Sequence, residues 1–233
     1  MESVINNMLF GVVISLIAFE IALLIRKKTG LVFLNPLLVS IIMVIGFLLV
    51  FNIDVEIYNV GGDFINMFLG PATVVLAVPL YNQLENLKKY FIPIIVGIFI
   101  GSIIGITSIV ISSYIFGLKG DIIASLIPKS VTTPIGIEIA TSLGGIVPIT
   151  VLAILITGII GAVTAPIVCK IFKIKNKVAI GVAIGTSSHA LGTTKALEMG
   201  EIEGAMSSLS IGVAGIMTVF IAPVVYELFI RLI

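Results

Sequence analysis

Residues 121–145 read DIIASLIPKSVTTPIGIEIATSLGG, and the way this stretch meets a bilayer decides the fold. It is apolar enough to resemble a membrane crossing. It also holds Pro128, Pro134, the Thr132-Thr133 pair, Lys129, Glu138 and a closing Gly144-Gly145. Proline removes a helix donor and clashes with the preceding turn, which disfavours one continuous helix. Irregular backbone at membrane depth is tolerated only where protein or a water-filled cavity surrounds it.

The rest of the chain supplies the membrane. Only 11% of the 233 residues are charged and 59% are hydrophobic, with a mean hydropathy of +1.29. Soluble domains are about a quarter charged. A crossing needs about 20 mainly apolar residues, and Met8–Ile25, Asn35–Phe51, Phe64–Tyr81, Phe91–Phe116, Ile146–Cys169 and Ala205–Ile230 supply the clearest runs. They are too long and too continuous for the alternating strands of a membrane barrel. The expected fold is an all-α integral membrane protein, a polytopic bundle of about seven or eight membrane segments in a single domain over residues 1–233. The first run carries Glu20 and ends at Arg26-Lys27-Lys28 without a small-residue cleavage site, so it reads as a retained helix. Cys169 is the single cysteine and has no internal disulfide partner. Thirteen basic against twelve acidic residues give no field for nucleic acid.

Lys and Arg fall in three clusters, Arg26-Lys27-Lys28, Lys88-Lys89 and Lys170/Lys173/Lys175/Lys177. The positive-inside rule puts all three in the cytoplasm and the N-terminus outside. Phe91–Phe116 then runs outward and Ile146–Cys169 returns. Residues 121–145 cannot also cross, and read as a re-entrant or broken segment. An ordinary, poorly hydrophobic span is the other reading. A weak echo pairs PATVVLAVPLYNQLEN (71–86) and FIPIIVGIFIGSIIGIT (91–107) with SVTTPIGIEIATSLGG (130–145) and IVPITVLAILITGIIGA (146–162). Paired, interrupted segments of this kind mark midplane sites in transporters. Shared membrane composition would also produce the echo, and charge counting leaves its sense, parallel or inverted, open.

GTSSHALGTTKALEMGEIEGA (185–205) is the second polar interruption. Its apolar lead-in, VAIGVAIG, is only about half a span, as expected of a half-helix that ends in a break at Thr186–Thr194 facing residues 128–135. Exposed helix ends need partners in lipid, and hydroxyls with a polar solute can supply them. His189, the only histidine, is either a titrating group near physiological pH or a satisfied core residue. Lys129 is either an anion-binding cation or a snorkelling side chain. Glu138 is an expensive intramembrane carboxylate, and Glu20 is either the same or a helix-end residue reaching water. Glu198, Glu201 and Glu203 read as the start of the last span. There is no HExxH, no Cys/His metal spacing and no phosphate loop, so neither an enzyme nor a metal or other cofactor is expected.

LNPLLV (34–39), LGPATVVLAVPLY (69–81), PKSVTTPI (128–135), GTSSHALGTTKA (185–196) and EGAMSSLSI (203–211) resemble the LrgB/CidB family over nearly the whole chain. That family takes in bacterial YohK-type proteins and a domain of the plastid glycolate/glycerate transporter. Glu138 departs from the small or apolar residues common there. The resemblance implies a multi-pass protein of the cell membrane and two functional readings. One is an antiholin-like regulator of murein hydrolase export or activity, and hence of autolysis, working beside a small LrgA/CidA-type membrane partner. The other is a carrier of small monocarboxylates of the pyruvate, glycolate or glycerate class, coupled to an ion or proton. Buried Lys, His and hydroxyl groups suit the carrier. Its expected substrate-binding set is Lys129, Ser130, Thr132, Thr133, Thr73, Ser187, Ser188, His189 and Thr193, with His189 and Glu138 as coupling candidates and a homo-oligomer as a possible assembly.

Overall fold

A computed structural model of the chain describes residues 7–30, 34, 36–68, 71, 74–75, 81–82 and 84–232. Every element among them is helical. The chain divides into two compact units, Met1–Val75 and Leu76–Ile233.

The first unit contains α1 (Met8–Thr29), α2 (Pro36–Val50) and α3 (Val55–Asn66). Asn7 caps α1 by accepting from the Leu9 N–H at 3.0 Å. Gly30, at φ 65°, closes it after a basic last turn of Arg26, Lys27 and Lys28. Ala18 packs with Val44 and Leu48 between α1 and α2. The backbones of α1 and α3 touch at Gly11 and Gly61, and the Ser15 and Tyr58 hydroxyls meet at 2.8 Å beside that contact.

The second unit holds α4 (Leu84–Lys89), α5 (Phe91–Ile115), α6 (Gly120–Leu126), α7 (Thr133–Ser142), α8 (Val147–Ile171), α9 (Lys177–Met199) and α10 (Glu201–Leu232). Here the stretch at 121–145 is broken. α6 has seven residues and α7 ten, well short of the ~30 Å hydrocarbon layer at about 1.5 Å per residue. The chain turns through Ile127–Ser130, and Pro134 lies in the first turn of α7, where its missing N–H costs nothing. The segment then comes back on itself. A side chain at Gly145 would meet the Ser125 amide at 2.9 Å, and the Ile146 N–H donates to Ser125 Oγ at 2.6 Å. Residues 120–145 form a re-entrant hairpin.

α9 is a second hairpin. His189 sits at φ 41°, ψ −141°, and the chain reverses there. Ile180, Ile184, Ala196 and Met199 share one core cluster, although residues 180 and 196 of a straight helix would stand about 24 Å apart. Gly192 lies against Ile184. The outgoing arm, residues 177–188, runs parallel to the start of α10, with Gly181 on the Glu203 carbonyl and Gly185 on the Ser207 carbonyl. The returning arm, residues 190–199, runs antiparallel to it, with Gly204 against Leu197.

Among the described residues four helices are long and apolar enough to cross a membrane, α1, α5, α8 and α10, and α2 is a shorter apolar helix. Their outer faces expose Leu16, Ile104, Ile160 and Phe220. Apolar surface on this scale suits lipid rather than water, and the chain is a multi-pass protein of the cell membrane. Half of the expected run Phe64–Tyr81 (residues 69–70, 72–73 and 76–80) lies outside the described residues, and with it the count of seven or eight segments.

Candidate functional site

The turn of the first hairpin and the outgoing arm of the second, up to two residues before its reversal, meet at one cavity of about 600 Å³ within the second unit. α5 contributes Gly97, Gly101 and Gly105, spaced by four so that they share a face. The outgoing arm of α9 contributes Val182, Ala183, Thr186 and Ser187, and the turn of the first hairpin contributes Ile127, Lys129, Ser130 and Val131. A side chain at Gly101 would meet Thr186 at 3.3 Å, and one at Gly105 would meet nothing within 4 Å. The missing side chains of α5 are what leave the space open.

Lys129 is the only charged residue lining the cavity among those described. Its Nζ donates to Ser130 Oγ at 3.3 Å. Ser102, Thr186, Ser187 and Thr218 add hydroxyls to the wall. The Thr186 hydroxyl is turned back onto the Val182 carbonyl at 2.8 Å, while Ser187 shares a 3.0 Å bond with Ser188. The wall thus offers one cation and several hydroxyls among apolar side chains, donors of the kind that hydrogen-bond an anion.

Behind the wall the reversal in α9 is locked by α8. His189 is 3% exposed, and its Nε2 lies 2.9 Å from the Ile154 carbonyl. A carbonyl only accepts, so Nε2 carries the hydrogen. The ring fits because residue 158 is glycine, where a Cβ would lie 2.7 Å from Cε1. Ser188 packs onto Gly161 in the same way. The Thr193 hydroxyl donates to the His189 carbonyl at 3.0 Å and meets Ser207 Oγ at 2.7 Å. Positive φ at a non-glycine residue is costly and clusters at functional sites.

The sequence candidates thus separate. Lys129, Ser130 and Ser187 line the cavity. Thr132 and Thr133, half-buried, open α7, and the Thr132 side chain makes no capping bond. Ser188, His189 and Thr193 are buried in contacts with α8 and α10. Glu138 is exposed on α7 and does not line the cavity. Thr73 lies outside the described residues. Thr186, Ser102 and Thr218 are additions that the sequence reading left out of its set. The four-residue spacing of Gly97, Gly101 and Gly105 was the available signal for that wall.

The model of the LrgB-like family matches residues 15–228. The chain belongs to the LrgB-like family. It is 40% identical over 215 residues to the Antiholin-like protein LrgB of Bacillus mycoides (strain KBAB4), covering 92% of this chain and 94% of the relative. The Antiholin-like protein LrgB of Bacillus cereus (strain B4264) matches to the same extent. The Uncharacterized protein YxaC of Bacillus subtilis (strain 168) is 40% identical over 203 residues, 87% of this chain and 88% of its own length. No solved structure matches the chain significantly. Three of the LrgB-like motifs converge in the fold. PKSVTTPI forms the turn of the first hairpin and opens α7, GTSSHALGTTKA forms the reversal of α9, and EGAMSSLSI is the part of α10 on which both arms of α9 pack.

Proposed function

We propose that this LrgB-like protein carries a small monocarboxylate, of the pyruvate, glycolate or glycerate class, across the cell membrane. One observation supports the reading above the others: two broken helical hairpins, one through its turn and one through the arm leading into its reversal, line a single cavity whose only charge, among the described residues, is Lys129. Broken helices leave backbone groups that must be satisfied at membrane depth, and in transporters they coordinate substrate and coupling ion near the midplane. A carboxylate would accept from Lys129, Ser130 and Ser187, with the short acid's body against Gly101, Gly105 and Val182. The cavity is larger than a three-carbon acid needs, so the acid occupies the deep end and the remainder is an approach. His189, one layer behind the wall, is the coupling candidate that remains, because Glu138 is exposed on α7 and does not line the cavity.

The names of the relatives favour a second reading. Proteins called antiholin-like at this identity support a regulator of murein hydrolases that acts with an LrgA/CidA-type partner, and such a role needs no transported solute. Purified protein in liposomes separates the two. Saturable, competable uptake of pyruvate, glycolate or glycerate supports the carrier. Absence of uptake across that panel, with the protein folded and correctly inserted, removes the carrier reading in favour of the regulator.

A further inference from the structure

Two spans of the second unit are closed alike. α5 and α8 each have 25 residues, and they run out through Ile115-Phe116-Gly117-Leu118-Lys119 and Ile171-Phe172-Lys173-Ile174-Lys175. Gly117 and Lys173, at the same place in each closure, have φ 66° and 53°. The next N–H reaches back five residues in both, Leu118 to the Ser113 carbonyl at 3.0 Å and Ile174 to the Cys169 carbonyl at 2.9 Å, the Schellman closure. Ile103-Ile104-Gly105 and Ile159-Ile160-Gly161 stand at equal distances before the two closures. Each span is then followed by a re-entrant hairpin.

The directions are opposite. α5 starts beside Lys88-Lys89, whereas α8 ends at Lys170. Tyr90 and Asn176 border the same cavity, so the two basic clusters share one end, the cytoplasmic one by charge. The first hairpin therefore enters from the external face and the second from the cytoplasmic face.

Matched positions differ in their packing. Gly161 of α8 is filled by Ser188 from its hairpin, while its counterpart Gly105 of α5 faces open cavity. The cavity runs from exposed Asn176 down to Lys129. Beside Lys129 the wall residues Ile127 and Val131 join Val110, Ile123 and Ala222 in a buried plug, and Tyr226, packed against that plug, donates from its Oη to the Gly120 carbonyl at 3.0 Å. Ile123 of the plug also borders a shallow hollow of about 330 Å³ with Gly120 and Phe229.

We infer that α5 with the first hairpin and α8 with the second are inverted copies of one unit, and that the structure is the cytoplasm-open member of an alternating pair. In the partner conformer Gly105 becomes packed, the plug parts and Lys129 faces outward. The inference rests on the carrier reading for its purpose, but its geometry is tested without transport.

The test uses single cysteines in a Cys169→Ala background, labelled with a membrane-impermeant maleimide in right-side-out and inside-out vesicles. Ala183→Cys on the cavity wall should react at least tenfold faster from the cytoplasmic face, with Ala179→Cys, one turn nearer the mouth, as the substitute if that variant misfolds. Val131→Cys in the plug should react from the external face, and Tyr226→Phe should speed that reaction. Preferential external labelling at residue 183 (or 179), or no external labelling at residue 131 with or without Tyr226→Phe, overturns the inference. If the expected pattern appears in protein that takes up none of pyruvate, glycolate or glycerate in liposomes, the inverted gate stands and the carrier reading falls. If uptake occurs without the pattern, the inference alone falls.

Discussion

The hydroxyl of Thr193, on the returning arm of α9, lies 2.7 Å from the hydroxyl of Ser207 in α10, and the carbonyl of the same Ser207 is pressed against Gly185 on the outgoing arm. One turn of α10 therefore holds both arms at a common depth. Thr193 already donates to the His189 carbonyl, so Ser207 donates to Thr193.

Thr193→Val leaves the buried Ser207 hydroxyl without its acceptor and should cost about 1–3 kcal/mol of stability. Adding Ser207→Ala should recover part of that loss, because the unsatisfied group is gone. A double-mutant cycle on unfolding in detergent measures the coupling, and strict additivity would contradict the bond.

Lys129→Gln removes the cavity's cation and keeps a donor. A charge-assisted hydrogen bond is worth about 1.5–3 kcal/mol, so binding or uptake affinity should fall roughly 10- to 100-fold with little change in thermal stability. Lys129→Arg should retain much of the affinity. Unchanged affinity in the glutamine variant would make Lys129 a snorkelling residue.

Two glycines should respond in opposite ways. Gly105→Ala places a methyl group in open space and should leave stability unchanged, while Gly105→Leu should fill the approach and block uptake in a folded protein. Gly158→Ala drives a methyl group into the His189 ring and should destabilise by about 1–3 kcal/mol, the usual cost of overpacking. Thermal melts paired with liposome uptake distinguish a lost cavity from a lost fold.

His189 combines an unusual backbone with a bonded ring, and substitutions can part the two. His189→Gly accepts φ 41° without penalty, so it should be more stable than His189→Ala by about 1–2 kcal/mol, read by thermal unfolding. His189→Gln keeps hydrogen-bonding capacity without a titrating ring. Under the carrier reading it should flatten the variation of uptake between about pH 5 and 8 more than it weakens affinity, which is checked by uptake profiles of the two proteins.

The ends of the first hairpin should lie on one side of the membrane. Cysteines at Lys119 and Ile146, in a Cys169→Ala protein, should react alike with an impermeant thiol reagent. Ile146 is preferable to Gly145, where a side chain would run into Ser125. Opposite sidedness would mean that residues 121–145 cross.

Much of this fold could be read from the sequence because lipid makes its demands in simple terms. The apolar runs at α1, α5, α8 and α10 announce themselves by length, and Pro128, Pro134 and Gly144-Gly145 mark the first hairpin. The second hairpin was legible as a break but not as a reversal. Neither proline nor glycine stands at the turn, and His189 adopts its backbone angles only because Gly158 and Gly161 of α8 make room for the ring and for Ser188. That is a tertiary cause, invisible locally. The same holds for the site. Lys129, Ser130 and Ser187 could be picked out as polar residues in oily surroundings. Assigning His189 and Thr193 to the layer behind the cavity, and Glu138 away from it, required the packing of α8 and α10.

The arms of α9 also constrain how this protein is made. Machinery that admits nascent segments to the bilayer selects them by apolar length, about 20 residues at a time, and each arm is only about half of that and rich in hydroxyls. Neither arm qualifies alone. Beyond the lock to α8, the packing that holds them comes from α10, through the Ser207 bond to Thr193 and the carbonyls seated on Gly181 and Gly185, and α10 leaves the ribosome after them. The second hairpin therefore completes its packing only when the last helix is synthesised, and a chain stopped at Met199 would hold it by the α8 contacts alone.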